Sequence, residues 1–265
     1  MKRVVIAADY HCGHIAGLTP PAWQMSAERV RKAHLPRHVH TTQERLYNAY
    51  RAALKSLQPI HCFVLNGDAI EGKGERSGGT ELITSDRGEQ IKIAAYLVKV
   101  ACAARNVLVY GTAYHTGGQE DWESILADKE TGFEASIGSH EWLDVNGLVF
   151  DIKHHIGGSS VPHGRGTALA RDRLWNLLWA ERGLQPRANV IIRAHVHYHA
   201  YIGEKNWVAM TCPALQAAAT KYGARRCSGT VDVGLLVFDV VDKENWTWRY
   251  IELAEAEHRA KATRI

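Results

Sequence analysis

The sequence predicts an α/β protein with a large sheet whose later portion is partly antiparallel. A chain of 265 residues with 46% hydrophobic content can bury a large core. Its first half alternates buried strand patterns with amphipathic helix patterns, and its last part is a succession of strand patterns. The length is most simply one domain, which we take as residues 1–265.

The first half follows a βαβαβ order. Residues 41–56 have helical periodicity, and Asp86 with Glu89 forms a capping box ahead of a second helix. In order, the segments are KRVVIAAD, residues 41–56, HCFVLNGD, IKIAAYLVKVACAAR and NVLVYGT. This order is typical of a sheet with parallel strands and covering helices.

The second half has one long helix among strands. The helix TALARDRLWNLLWAERG ends at Gly183, and we expect Trp175 and Trp179, four residues apart on it, to lie in the core. The strand patterns are GLVFDIKHH before this helix and NVIIRAH, NWVAMTC, VGLLVFDVV and NWTWRYIEL after it.

Composition excludes some classes of protein and leaves others open. No apolar window reaches about 20 residues, so no membrane span is expected. The apolar run at the N-terminus stops at Asp9 without a cleavage site, which favours a buried strand over a signal peptide. Five scattered cysteines without a Cys-x-x-Cys pair favour a cytoplasmic location. A net charge of +4 permits a polyanionic partner without requiring one.

Polar residues follow the predicted strands, where α/β proteins place their chemistry. His195, His197 and His199 alternate after an apolar strand, so in an extended chain all three rings would converge on one side. Neutral imidazole is the commonest protein metal ligand. The other strand ends carry the pairs Asp9 and His11, Gly67 and Asp68, Thr112 and His115, and His154 and His155. Five such motifs in succession predict a metal site at the strand ends.

These motifs, DYH, GDAIE, GTAYH, KHH and AHVH over residues 9 to 197, resemble the ordered signature of calcineurin-like metallophosphoesterases. The segments DYHCGHIAGLTPP and GDAIEG are most similar to phage and bacterial members. The resemblance implies a four-layer α-β-β-α sandwich, in which two packed mixed sheets hold two divalent metals across the strand ends.

The resemblance also implies roles for individual residues. The metal ligands are Asp9, His11 and His197 for one ion, His195 with either His154 or His155 for the other, and Asp68 between the two. Mixed carboxylate and imidazole ligands suit manganese, our first expectation, or iron, nickel or zinc better than calcium.

The third motif departs from the family pattern. Thr112 stands where Asn is usual, and His115 comes three residues later instead of directly after it. Thr112 could bind the second metal through its hydroxyl, a water could take that place, or His115 could be the ligand. His115 could also be the general acid of the reaction, or a surface loop residue.

The implied activity is phosphoester hydrolysis by a hydroxide that bridges the metals. His163 and Arg165 could grip a non-bridging phosphoryl oxygen, although loop exposure explains them equally well. The positive net charge and the basic stretches VRKAHLPRH and KYGARR favour a phosphodiesterase or nuclease that acts on DNA or RNA. A phosphomonoesterase acting on a phosphoprotein or small molecule, or a non-catalytic binding scaffold of the same fold, is the alternative.

Overall fold

Two mixed sheets form the centre of the molecule. The computed structural model describes residues 1–117, 121–128, 131–217, 229–253 and 262. Its strands are β1 (Lys2–Ala7), β2 (Cys62–Asn66), β3 (Asn106–Val109), β4 (Ala135–Gly138), β5 (Glu141–Val145), β6 (Leu148–Ile152), β7 (Val190–Arg193), β8 (Ala200–Glu204), β9 (Trp207–Thr211), β10 (Gly234–Val240) and β11 (Trp246–Glu252). Its α-helices are α1 (Ala27–Lys32), α2 (Val39–Ser56), α3 (Arg87–Val100), α4 (Ala113–Thr116) and α5 (Arg165–Glu181).

The first sheet has the strand order β11-β10-β1-β2-β3-β4, and the second has the order β5-β6-β7-β9-β8. Strands β1 to β4 pair in parallel, as do β6, β7 and β9, whereas β10, β11, β5 and β8 join antiparallel. The predicted change from parallel to partly antiparallel pairing is therefore confirmed.

The sheets pack face to face and carry helices on their outer faces. Phe150 of β6 and Phe238 of β10 meet edge to face, with ring centroids 5.1 Å apart, in a core shared by both sheets. Helices α2 and α3 cover the other face of the first sheet, and α5 covers the second sheet through Leu169. This arrangement confirms the four-layer sandwich.

Local signals located the long helices well. The Asp86 side chain caps α3 by accepting a hydrogen bond from the Glu89 amide at 3.2 Å, as the capping box predicts. Helices α1 and α4 and strands β4, β5 and β8 have no counterpart among the predicted elements. None of the described helices is both long and apolar enough to cross a membrane.

The prediction that Trp175 and Trp179 are core residues is wrong. Both are exposed on α5, whereas Asn176, the residue after Trp175, is buried. Asn176 donates to the Pro186 carbonyl and accepts from the Ala188 amide. Periodicity finds the apolar face of a helix, but polar contacts such as these decide which face packs against the sheet.

A buried tyrosine pair ties α2 to both its neighbours. Tyr50 of α2 donates to the Leu97 carbonyl of α3 at 3.0 Å, and its hydroxyl lies 2.7 Å from that of Tyr10, which follows β1. Burial raises the pKa of both phenols, so both remain neutral donors.

We expect Tyr50→Phe to lower the free energy of unfolding by about 1–3 kcal/mol, because the Leu97 carbonyl and the Tyr10 hydroxyl lose a partner away from water. Tyr47→Phe is the control, because its hydroxyl bonds only that of the exposed Tyr96 and its loss costs less than about 0.5 kcal/mol. Urea denaturation measures both. Equal losses would contradict this account of the buried pair.

Candidate metal centre

Three overlapping groups of ligand atoms lie where the parallel strands end. They are Asp9 with His11 and His197, His11 with Asp68 and His115, and Asp68 with His154 and His195. Within each group, the ligand atoms lie within 4.8 Å of one another. The carboxyl ends of β1, β2, β3, β6 and β7 meet here, which explains why residues from five distant segments come together.

The backbone at these positions is strained. Five of the candidate ligands have a positive φ, namely Asp9 (54°), His11 (47°), Asp68 (48°), His195 (73°) and His197 (55°). Non-glycine residues rarely adopt this conformation, which costs on the order of 1–3 kcal/mol each and clusters at functional sites. The left-handed turns also aim the side chains across the strand ends instead of alternating them along a strand.

In the first group, a second carboxylate orients the histidine ligand. His11 Nδ1 lies 2.8 Å from Glu71 Oε2, which leaves His11 Nε2 facing His197 Nε2 at 3.1 Å. His197 Nε2 is also 3.2 Å from Asp9 Oδ1. A carboxylate on one ring nitrogen and a candidate ligand position on the other is the usual arrangement around a metal-binding histidine.

In the third group, the structure distinguishes the two neighbouring histidines. His154 is buried, donates through Nδ1 to the Asn66 carbonyl at 2.7 Å, and places Nε2 3.0 Å from Asp68 Oδ2. His155 is exposed and packs its ring against that of His195 at 4.9 Å. His154 is thus the member of the pair placed to bind an ion, and His155 neither faces the core nor joins a ligand group among the described residues.

Asp68 lies between the outer groups, and glycines let it approach. Its Oδ2 is 3.9 Å from the nearest nitrogen of both His195 and His115. A Cβ at Gly111 would collide with the Asp68 carboxylate, and one at Gly67 would collide with the His154 ring. Asp9 Oδ1 is 4.0 Å from His154 Nε2, so the two outer groups are in contact.

Two buried ligand atoms without hydrogen-bond partners indicate whether a metal ion fits this site. Asp9 Oδ1 and His154 Nε2 are fully buried yet have no hydrogen-bond partner, although buried polar atoms almost always have one. Because His154 donates through Nδ1, its Nε2 faces two carboxylates. A cation at this place, either a proton on Nε2 or a metal ion, offsets the negative charge, so the residues present fit divalent metal ions.

The pKa shifts of His154 and Asp68 also indicate concentrated negative charge at this site. Burial alone lowers the pKa of His154, but the carboxylates of Asp68 and Asp9 outweigh it and raise that pKa to about 10. Burial opposes ionisation of Asp68, yet His154 and the neighbouring histidines hold the pKa of Asp68 well below its usual range. The centre therefore carries ionised carboxylates that attract positive charge at neutral pH.

The two residues of the unusual third motif have different surroundings. The Thr112 amide and hydroxyl donate to Asp68 Oδ1 at 2.7 and 3.1 Å, so Thr112 positions the carboxylate. His115 is 13% exposed in its side chain and is not a surface loop residue. Its Nδ1 lies 2.9 Å from the Glu71 carbonyl, and its ring packs edge to face on that of His11 at 4.6 Å.

The prediction that three alternating histidines converge is wrong for His199. Strand β7 ends at Arg193, and the left-handed turns at His195 and His197 break the alternation. His199 Nδ1 instead donates to the Thr211 carbonyl at 2.9 Å, and its ring packs on that of Tyr250.

Of the two candidate phosphate-binding residues, Arg165 has a contact next to a ligand residue and His163 has none among the described residues. Arg165 begins α5 and places its guanidinium 4.2 Å from the ring centroid of Tyr198, which is the neighbour of His197. His163 is exposed in the preceding turn, and no contact within the described part of the chain joins it to the ligand groups. The basic stretch VRKAHLPRH spans the end of α1 and the loop before α2, whereas KYGARR lies outside the described residues.

Sequence reasoning missed two buried carboxylates. Glu71 was visible within the GDAIEG segment, three residues after Asp68, but the pattern did not indicate that it orients His11. Glu123 lies in a 3-10 helix and accepts from the Ala69 amide at 2.5 Å and the Gly111 amide at 2.7 Å. Glu123 therefore joins the loops that carry Asp68 and Thr112. Burial raises the pKa of the Glu123 carboxyl group to about 7. No local signal marks Glu123, because its partners are distant backbone amides.

These observations define an α/β sandwich protein with a candidate divalent-metal centre at the carboxyl ends of its strands. No protein-family model matches the chain, and no curated protein does.

Solved structures resemble it at low identity. An archaeal phosphodiesterase is 14% identical with a TM-score of 0.46, over 94% of this chain and 99% of that one. A single mutant of Vps29 from Entamoeba histolytica is 11% identical with a TM-score of 0.45, over 95% of this chain and 99% of that one. A predicted phosphoesterase from Streptococcus pneumoniae is 9% identical with a TM-score of 0.42, over 95% and 89%. At these values, the likeness assigns neither a family nor an activity.

We expect Asp68→Asn to remove bound metal more completely than Thr112→Ala. Asparagine loses the negative charge at the centre of the ligand groups, whereas Thr112→Ala removes one hydroxyl and keeps the amide that binds Asp68. Loss of such a supporting contact costs about 10- to 100-fold in metal affinity. Elemental analysis and titration with Mn²⁺ measure both variants. Two tightly bound ions in Asp68→Asn would disprove the bridging position.

Proposed function

We propose that this protein is a metal-dependent phosphoester hydrolase that acts on phosphodiesters. One observation carries the proposal: Asp68 belongs to two of three overlapping ligand groups, and these groups together contain two buried ligand atoms without hydrogen-bond partners, Asp9 Oδ1 and His154 Nε2. The order of the ligand motifs along the chain, which resembles that of metallophosphoesterases, supports the same reading.

The ligand groups can be assigned to two ions. Asp9, His11 and His197 would hold one, His154 and His195 would hold the other, and Asp68 would contact both. Glu71 orients His11, the Asn66 carbonyl orients His154, and Thr112 orients Asp68. These three ligands thus have a fixed direction before anything binds, which reduces the reorganisation needed in the reaction.

The chemistry needs a nucleophile, charge neutralisation and protonation of the leaving oxygen. Divalent ions, when bound, lower the pKa of a water to near neutrality and neutralise charge on the phosphoryl oxygens. In this proposal His115 is the general acid that protonates the leaving oxygen. Its Nδ1 donates to the Glu71 carbonyl, so its Nε2 is the nitrogen that would deliver the proton. The guanidinium of Arg165 and the exposed ring of His163 are candidates to hold a non-bridging oxygen.

The surroundings favour a polyanionic diester over a compact monoester. Net charge is +4, Arg165 lies beside the ligand groups, and Arg31, Lys32 and Arg37 are exposed in the basic stretch before α2. Nucleic acid is therefore the substrate class we favour. A non-catalytic scaffold is a poor fit, because it would have no need for strained backbone and unpartnered buried carboxylates.

We expect chelation to abolish hydrolysis of bis(p-nitrophenyl) phosphate and Mn²⁺ to restore it, because both the nucleophile and charge neutralisation depend on the ions. Identically purified Asp68→Asn protein controls for contaminating hydrolases. A parallel assay with p-nitrophenyl phosphate separates diesterase from monoesterase activity. Full activity in protein shown by elemental analysis to contain no metal would rule out the proposed function.

We expect His115→Ala to slow hydrolysis of a dinucleotide by about 10²- to 10⁴-fold and that of a nitrophenyl diester distinctly less. A nucleoside alkoxide needs a proton in order to leave, whereas p-nitrophenolate leaves readily without one. His34→Asn is the control, since His34 is exposed and its φ of 53° is one that Asn tolerates.

Bound metal decides between the possible roles of His115. Equal losses on the two substrates with unchanged metal would argue against an acid role. A fall in bound metal would instead make His115 a ligand in the place usually taken by Asn.

A further inference from the structure

The long helix α5 has its apolar face turned towards solvent. Leu174, Trp175, Leu178 and Trp179 are 56%, 53%, 46% and 38% exposed. On the inner side, Asp172 pairs with Arg193 at 2.7 Å and Arg173 donates to the Ala188 carbonyl at 2.6 Å. The usual amphipathic arrangement of a surface helix is therefore inverted, which indicates that another surface covers these four side chains.

The four residues form one stripe, because positions three and four residues apart lie close together on a helix surface. At roughly 200 Å² for a side chain of this size, they expose on the order of 400 Å² of apolar surface. A standard protein interface buries about 800 Å² on each partner, a little over half of it apolar. The stripe thus supplies most of the apolar area that one side of such an interface needs.

From this stripe we propose that α5 forms a two-fold interface with α5 of a second copy of this chain, independently of the catalytic proposal. The stripe repeats the pair Leu-Trp after four residues, as Leu174-Trp175 and Leu178-Trp179. A two-fold axis perpendicular to the helix, midway between the pairs, places the leucine side of the stripe against the same side of the other copy, so that Leu174 meets Leu178 and Trp175 meets Trp179. Each pair of contacts occurs twice, which is the self-complementarity that an isologous interface requires.

The charges at the ends of the stripe agree with this pairing. Arg171 lies at one end and Glu181 near the other, both exposed, and the antiparallel arrangement brings Arg171 of each copy near Glu181 of the other. Arg182, the other cation at that end, lies over its own Trp179 ring at 5.8 Å. A lipid surface would favour basic residues alone, whereas a rim with both signs matches a second copy.

The interface would leave the metal centre open. Helix α5 begins at Arg165, on the side of the strand ends that carry the ligands, and runs back towards the start of β7 at Val190. The stripe lies in its second half, away from the ligand groups. Dimer formation and hydrolysis can therefore be tested separately.

Sedimentation equilibrium at about 10–100 μM tests the proposal. The wild-type protein should have a mass of about 59 kDa, twice the 29.5 kDa of one chain, and Leu178→Lys should be a monomer with unchanged circular dichroism. Val241→Lys is the control, since Val241 is 53% exposed just after β10 in the other sheet and should leave the dimer intact. A monomeric wild type, or a dimeric Leu178→Lys, would overturn the interface.

A size-changing variant tests the register. The double substitution Leu174→Trp with Leu178→Trp keeps the stripe apolar but overfills the leucine side of the contact, where Leu174 meets Leu178 of the other copy, so it should weaken the dimer at least ten-fold. An unweakened dimer would show that the proposed pairing is wrong. If the wild type is monomeric and sediments with phosphatidylglycerol vesicles, the stripe faces lipid and the proposal also fails.

Discussion

The metal centre depends on the charge balance between two buried carboxylates and the imidazole rings that surround them. Asp9 and Asp68 are almost fully buried, and ionised carboxylates in such a place are costly unless positive charge lies beside them. The surrounding histidines hold the pKa of both carboxyl groups low in spite of burial. The centre is therefore stable only with cations among its side chains, whether protons on histidines or metal ions.

The architecture concentrates these groups because strands from both sheets end at one edge. Asp9, Asp68 and His115 follow strands of the first sheet, while His154, His195 and His197 follow strands of the second. The packed faces between the sheets are apolar and closely fitted, so the two sets of loops cannot shift independently. Glu123 adds a direct link between two loops of the first sheet through its two backbone hydrogen bonds.

Residues 111 to 115 differ from the metallophosphoesterase pattern that the sequence motifs resemble, in which this motif supplies a neutral oxygen ligand. Thr112 uses its hydroxyl and amide to hold Asp68, while His115 brings a ring nitrogen within reach of the same group. Both changes agree with the proposed function: Thr112 positions Asp68, and His115 offers a ring nitrogen to the same group of ligand atoms, a donor of different character from an amide oxygen.

The sequence by itself determined the order of the long helices and of most buried strands, the capped start of α3 and the succession of polar motifs at strand ends. These are local properties, set by periodicity, capping and the chemistry of short segments. Only the tertiary structure decided which histidine of the 154 and 155 pair turns inward, that His199 leaves the centre, and that Glu123 joins two loops. Each of these outcomes depends on a left-handed turn or on a partner distant in the chain. The tertiary structure also decided which face of α5 is exposed, because contacts of Asp172, Arg173 and Asn176 with residues outside the helix fix the side that packs inward.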